Sequence, residues 1–456
     1  MIFGGLSLVE NRSGFTPADA RAIYKFVSEY LYFSRPDLII DDKLFNSTLL
    51  FALLTALVQG KAIIIGEPGL GKTTAAEFIS SLVYRLPIGT IWSGTLGGHP
   101  EQTEEKIVGR PDLAKLNAGR EEVVWTNFAQ LPVKIVDEIN RLPETKQSLI
   151  LDGIDRGHWE YLNEMILNDE HCLFATANYQ DRGTGTIIAP LLDRFDVMVE
   201  SKHPGPNLAF SITEINQKNE ILRHSGCEEN LQTILRQRLP YHEKIAGLDQ
   251  NCDEFAAYIK DKYGLRLPNR SERQDLLEAI HSLRFDIDSD AYSRFLIAEL
   301  CFCNQYGQKR SNELCDDSCH YAGYLCREIK NCISNRFPMS LKVYSQALGW
   351  LLEKEGVDLE VLRAVAPYTL AHRIQWRDDV VAFHQNKCRM DPLPIYLAKE
   401  AVRKVYRRYV EQNEEVKRAL GMACKAFETN DGETEIKGDH PLFHEIQKDL
   451  NGIRNR

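Results

Sequence analysis

The chain has 456 residues, of which 43% are hydrophobic and 26% charged, and its formal net charge is −10. That balance is too apolar for a disordered tail and supplies enough material for about two or three packed units. An acidic surface also disfavours general binding to nucleic acid, which needs a cationic face. The most apolar helix-like run, residues 49–58, falls short of the about 20 residues a bilayer requires. Met1-Ile2-Phe3-Gly4-Gly5 shows no basic stretch leading into an apolar one, so a cytoplasmic chain is expected.

In chain order, residues 1–40 read as an N-terminal helical segment. It holds an amphipathic helix over 17–32, whose Tyr24, Phe26, Tyr30 and Tyr32 are expected to pack on the core. Residues 41–204 alternate strand and helix patterns, which predicts an α/β core with a parallel sheet flanked by helices. Within it, Lys61-Ala62-Ile63-Ile64-Ile65 reads as a buried strand running into Gly66-Glu67-Pro68-Gly69-Leu70-Gly71-Lys72-Thr73. This is a complete phosphate-binding loop in its proper context, a strand before and a helical pattern over 74–84 after. The glycines let backbone N–H groups curl round phosphates, Lys72 reaches the β- and γ-phosphates, and the Thr73 hydroxyl ligates Mg²⁺. Thr74 opens the helix whose N-terminus faces the anion.

A second apolar strand, Val133-Lys134-Ile135-Val136, ends in Asp137-Glu138. Asp137 is placed to help hold Mg²⁺ and Glu138 to polarise the attacking water for in-line displacement. A third run, Cys172-Leu173-Phe174-Ala175-Thr176, leads to Asn178, whose amide is placed to orient that water. Past the strands, Pro190-Leu191-Leu192-Asp193-Arg194-Phe195 offers Arg194, either as an arginine finger acting on a neighbouring subunit or as a surface ion pair with Asp193 or Asp196.

The phosphate loop, Ile135-Val136-Asp137-Glu138-Ile139-Asn140-Arg141, Ala175-Thr176-Ala177-Asn178 and Leu192-Asp193-Arg194-Phe195, in that order and spacing, resemble the MoxR group of AAA+ ATPases, a helix-2-insert clade related to magnesium chelatase motor subunits. Residues 148–157 resemble that family's helix leading into an inserted β-hairpin, here about 157–166, and 361–374 resemble the end of its lid. The resemblance spans roughly residues 40–375. It implies an AAA+ P-loop core, an all-α lid over 205–375 and catalysis by Lys72, Glu138, Asn178 and Arg194, followed by a helical C-terminal extension over 376–456. It also implies ATP and Mg²⁺ as cofactors, a homo-hexameric ring, and a partner protein with a von Willebrand factor A domain. The lid's sensor arginine follows a serine by two positions, which fits Ser334-Asn335-Arg336 and, earlier, Ser271-Glu272-Arg273; the lid-like helices preceding residue 334 favour Arg336. A chelatase-like motor and a nucleic-acid-associated motor are the competing functions.

Three stretches depart from the family pattern: the charged segment 202–268, an insertion over 304–333, and the residues beyond 374. Eleven cysteines are present, an odd count that argues for reduced thiols rather than a disulfide framework. Cys301, Cys303, Cys315, Cys319, His320, Cys326 and Cys332 crowd the insertion. Their spacings match no paired zinc-knuckle pattern, so thiols on buried helix faces are favoured over a metal site. The basic run Arg403-Lys404-Val405-Tyr406-Arg407-Arg408, flanked by Glu400, Glu411, Glu414 and Glu415, is expected to be a solvated helix with i to i+4 pairs. Trp159, Tyr161 and Met165 of the hairpin, or the loop Gly97-Gly98-His99-Pro100, could meet a substrate; packing within the hairpin competes with that for the aromatic residues.

Overall fold

The computed structural model describes residues 14–179, 187–214, 218–310, 319, 323–388, 390–429 and 435–454. The apolar runs pair with one another. Lys61–Ile65 (β1), Thr95–Gly97 (β2), Val133–Asp137 (β3), Cys172–Ala177 (β4) and Val197–Glu200 (β5) form a five-stranded sheet in the order β5-β1-β4-β3-β2, with every pairing parallel. Parallel strands lie between helical layers, so their runs are apolar apart from residues such as the buried Lys134 of β3; Ile63, Ile64, Ile135, Val136, Leu173 and Phe174 are all buried. Register sets Ile65 level with Ala177 and Asp137 level with Gly97. The motif loops therefore leave the sheet along one edge, the carboxyl ends of the strands, where open α/β sheets bind ligands.

Helix Pro17–Phe26 (α1) starts at a capping box in which Asp19 N–H donates to Thr16 Oγ1 (3.2 Å) and Thr16 N–H to Asp19 Oδ2 (2.8 Å). It continues as a π-helical turn, Val27–Leu31. Phe26 and Tyr32 are buried, but Tyr30 is 55% exposed, contrary to the expected inward packing. The wider π turn breaks the 3.6-residue phase on which that expectation rested. Helix Ser47–Val58 (α2) is buried from Ser47 through Leu57, as a helix apolar all round must be.

Helix Lys72–Val83 (α3) follows the phosphate loop, and Glu144–Arg156 (α4) ends at Gly157 with φ 68°. The hairpin His158–Tyr161 with Glu164–Leu167 turns through Leu162 and Asn163, at φ 47° and 63°, the signature of a type I′ turn. Trp159 is buried, edge-on to Phe128 at 5.6 Å, and a Cβ at Gly153 would lie 2.6 Å from its ring. Trp159 is thus a packing residue, while Met165 is 55% exposed.

The chain divides into two compact units, Asn11–Ser282 with Trp350–Glu353, and Leu283–Gly349 with Lys354–Arg456. The first holds the sheet, α1–α4 and the helices Ser225–Arg236 (α5), Tyr241–Tyr263 (α6) and Arg270–Ser282 (α7). The helices through Ser282 thus lie in the same unit as the sheet. The second unit is built on Ile287–Cys301 (α8), Leu359–Leu370 (α9), the 37-residue Leu393–Thr429 (α10) and Pro441–Arg454 (α11). The fold is the α/β core followed by a helical region that the sequence predicts.

The basic run on α10 is not the solvated face expected of it. Arg403 does pair along the helix with Glu400, but Lys404 reaches Glu328 Oε1 at 2.7 Å and Arg408 forks onto the buried Glu299. His440 Nε2 lies 3.4 Å from the same carboxylate and its ring stacks on Phe295 at 3.5 Å. Burial pushes the Glu299 carboxyl up, but the nearby His440 ring and the Arg408 hydrogen bonds outweigh it and hold the group below the usual carboxylate range.

Candidate functional site

Strand β1 delivers the chain into a loop whose Gly66, Gly69 and Gly71 have φ of 145°, 79° and 78°. Only glycine adopts such angles without strain. At Gly66 there is also no room, since a Cβ would stand 2.7 Å from the Ser201 carbonyl oxygen. Ser201 Oγ donates to Leu70 O (2.6 Å) and lies 3.0 Å from the Tyr32 hydroxyl. The loop is therefore held from outside by two residues the sequence reading did not assign to the site.

Lys72 is nearly buried and its Nζ donates to Gly66 O (2.9 Å), Glu67 O (2.8 Å) and Asn178 Oδ1 (2.7 Å). Burial lowers its pKa, against the opposing charges of Asp137, Glu138 and Glu67. Across the loop, Asp137 Oδ1 accepts from Thr73 Oγ1 and from Thr176 Oγ1, each at 2.6 Å. Thr176 in turn accepts the Glu138 N–H at 2.9 Å. One hydroxyl on β4 thus orients two consecutive residues at the end of β3.

Glu138 sits in the left-handed region, φ 53° and ψ 53°, an uncommon conformation for a non-glycine residue. Its Oε1 accepts from Asn178 Nδ2 (2.5 Å) and its Oε2 pairs with Arg141 Nε (2.9 Å). Gly98 N–H donates to Asp137 O (2.7 Å), and a Cβ there would clash with the Glu138 carbonyl. The residue thus supports the carboxylate strand, which the sequence reading, looking to this loop for substrate contacts, did not anticipate.

These groups open onto a cleft of about 910 Å³ lined by Gly69, Leu70, Gly71, Lys72, Thr73, Thr74, Asp137, Glu138 and Asn178, with Tyr32, Phe33 and Phe78 as apolar walls. Glu77, on α3 beyond Thr73, is held up in pKa by burial and faces Trp92 and Asp137. For Mg²⁺ the fit is good. A hydroxyl and a carboxylate, 2.6 Å apart at the mouth of an open cleft, are hard oxygen donors of the kind Mg²⁺ takes, leaving phosphates and water to complete its shell.

Of the other predicted residues, Arg194 pairs with Asp152 Oδ1 of α4 at 2.5 Å, rather than with Asp193 or Asp196, and is not among the residues lining its own chain's cleft. Arg336 begins a helix in the second unit, its N–H 3.3 Å from Ser334 Oγ. Arg273 is buried, forks onto Glu170 at 2.8 Å through both Nε and Nη2, and lies 5.1 Å over the Tyr84 ring. It is committed to the core of the first unit. In the insertion, Cys315 and His320 lie outside the described residues. Among the described residues, the remaining cysteines of the run do not bring three ligand atoms to one place.

Thr176 and Arg141 lay within quoted motifs, so a signal existed; what was missing was the side-chain direction that β4 and the turn after β3 impose. Tyr32 and Ser201 carried no local signal. Their role depends on β1 and β5 being neighbours.

Residues 61–195 match the family profile of the AAA domain, dynein-related subfamily. The chain is also similar in fold to the crystal structure of a candidate ATPase from Cytophaga hutchinsonii, with a TM-score of 0.56 and 14% identity over 86% of this chain and 94% of that one. No curated protein matches by sequence. Among the described residues, no helix is long and apolar enough to cross a membrane. Sheet order, cleft geometry and the profile match agree: residues 61–195 carry an AAA domain with an open cleft at its phosphate loop.

Proposed function

We propose that the chain is a cytoplasmic, Mg²⁺-dependent ATPase of the MoxR type, which works as a homo-hexameric ring to remodel, activate or mature a partner protein carrying a von Willebrand factor A domain. The observation that carries the hydrolytic reading is the convergence of Lys72, Thr73, Asp137, Glu138 and Asn178 on one open cleft. The MoxR assignment, ATP as the fuel and the partner class rest on the family resemblance that the sequence motifs carry.

In this reading each side chain has one task. Lys72, now donating to loop carbonyls and Asn178, exchanges them for phosphate oxygens. Thr73 and Asp137 would hold Mg²⁺, which when bound would supply positive charge to offset that of the phosphates. Glu138 accepts a proton from the attacking water, and Asn178, bonded to Glu138 and Lys72 at once, keeps that carboxylate aimed. Arg194 serves a neighbouring subunit once its contact with Asp152 opens, and Arg336 is the lid arginine that the resemblance assigns to the nucleotide.

The test is phosphate release by wild-type and Glu138→Gln protein, with affinity capture of Glu138→Gln held in ATP. Loss of turnover with retained ATP, and a stoichiometric von Willebrand factor A partner, is the expected result. Turnover at the wild-type rate would sink the catalytic assignment. Co-purified nucleic acid, or hydrolysis stimulated by it in a salt-sensitive way, would replace the remodelling role with a translocating one.

A further inference from the structure

The second unit contains a thiol pair that the nucleotide chemistry does not use. Cys301 closes α8, and Cys332 lies in the segment just before Ser334 and Arg336. Both sulfurs approach one carbonyl oxygen, that of Ile333, at 3.6 Å and 3.7 Å, which brings the two thiols close enough to influence each other's ionisation. Neither is sealed in the core. Lys309 is anchored beside them, its N–H on Cys301 O (2.8 Å) and its buried ammonium on the carbonyls of Cys326 and Ile329.

We propose that Cys301 and Cys332 form an oxidisable dithiol, a modification site for hydroperoxides at which Cys332 is the attacking sulfur and Cys301 the resolving one. The asymmetry has a physical source. The nearby Cys301 thiol is the largest influence lowering the Cys332 pKa, with the Lys309 charge adding to it, while the same proximity raises Cys301. Thiolate is the reacting form, so Cys332 reacts first. Its sulfur attacks the peroxide O–O bond and becomes a sulfenic acid as one water leaves. The Cys301 sulfur then displaces the hydroxyl, releasing a second water and leaving a disulfide. Two thiols and one hydrogen peroxide give one disulfide and two waters. The cross-link fastens the end of α8 to the segment leading into Arg336. Such a bond is transient in a reducing compartment, as a sensing device requires.

The experiment is graded hydrogen peroxide treatment of the full-length protein, followed by alkylation and peptide mapping, with the exposed Cys424 as internal control. A peptide linking Cys301 to Cys332 is expected before Cys424 is modified, reversible by dithiothreitol. Dimedone should label Cys332 in a Cys301→Ser protein. Recovery of both thiols unlinked after Cys424 has oxidised, or linkage of either to another cysteine, would overturn the pair. Dimedone on Cys301 in Cys332→Ser, with none on Cys332 in Cys301→Ser, would overturn the assignment of roles. The mapping of wild-type protein needs no variant to fold.

Discussion

Two charged networks in the first unit use the same chemistry to opposite ends. In the cleft, Lys72, Asn178, Glu138 and Arg141 form a chain of charge-assisted contacts open to solvent on one side, with Glu138 held at a left-handed backbone angle. Around Glu170, Arg273 is sealed, both partners only 5% exposed at their side chains, with further bonds to the Val83 and Pro268 carbonyls. The first network has acceptors that phosphate can replace; the second has none to exchange. A buried pair contributes rigidity, and breaking it leaves an uncompensated charge. An accessible pair with strained geometry is where chemistry is expected.

Substitutions can break this contrast in graded ways. Glu138→Gln should lower the ATP turnover number by about 10²- to 10⁴-fold, as loss of a general base does, with nucleotide binding retained by equilibrium dialysis. Lys72→Ala should weaken nucleotide binding by at least about 100-fold, the equivalent of about 2.8 kcal/mol, without lowering the melting temperature. Arg273→Met should show the reverse, a loss of about 3–5 kcal/mol of stability by denaturant titration and unchanged KM in the folded fraction. The double variant Arg273→Met with Glu170→Met should recover most of that loss, since no charge is stranded. If the single variant instead abolished nucleotide binding at full stability, the two networks would have been read the wrong way round.

Thr176→Val sharpens the comparison, because it removes the hydroxyl that bonds both Asp137 and the Glu138 N–H. A fall of about tenfold in turnover, equivalent to about 1.4 kcal/mol and inside the range for a stranded buried partner, should appear in steady-state kinetics with little change in KM. The smallest effect concerns pH and the sealed network of the second unit. Burial lowers the His440 pKa against the pull of Glu299, so the folded state binds fewer protons than the unfolded chain. Its contribution is complete above the unfolded pKa of about 6.5 and is lost as pH falls below it. Glu299, held low, contributes above its unfolded pKa of about 4.3 and loses that contribution only at still lower pH. Melting temperature should therefore drop between about pH 6.5 and 5, and His440→Phe should flatten part of that slope.

The phosphate loop, the strand before it and Asp137-Glu138 were legible in the sequence because each is local: glycines at fixed spacing, an apolar run, and paired carboxylates at its end. The helical region after the sheet was expected from the family resemblance those motifs carry. Tyr30 and Trp159 were not, since a π turn and a tight hairpin set which way they face. Arg408, read as part of a solvated charge run, lies where a distant carboxylate, Glu299, could claim it.

Short-range order therefore follows from the chain itself, since backbone conformation, helix phase and loop chemistry are governed by neighbours within a few residues. Which charges meet does not. Thr176 reaches Asp137 because β4 pairs with β3, Ser201 reaches Leu70 because β5 pairs with β1, and Cys301 meets Cys332 because α8 ends beside the segment that carries it. Only tertiary packing chooses those partners, and with them it decides which polar groups stay open for chemistry and which are sealed to hold the fold.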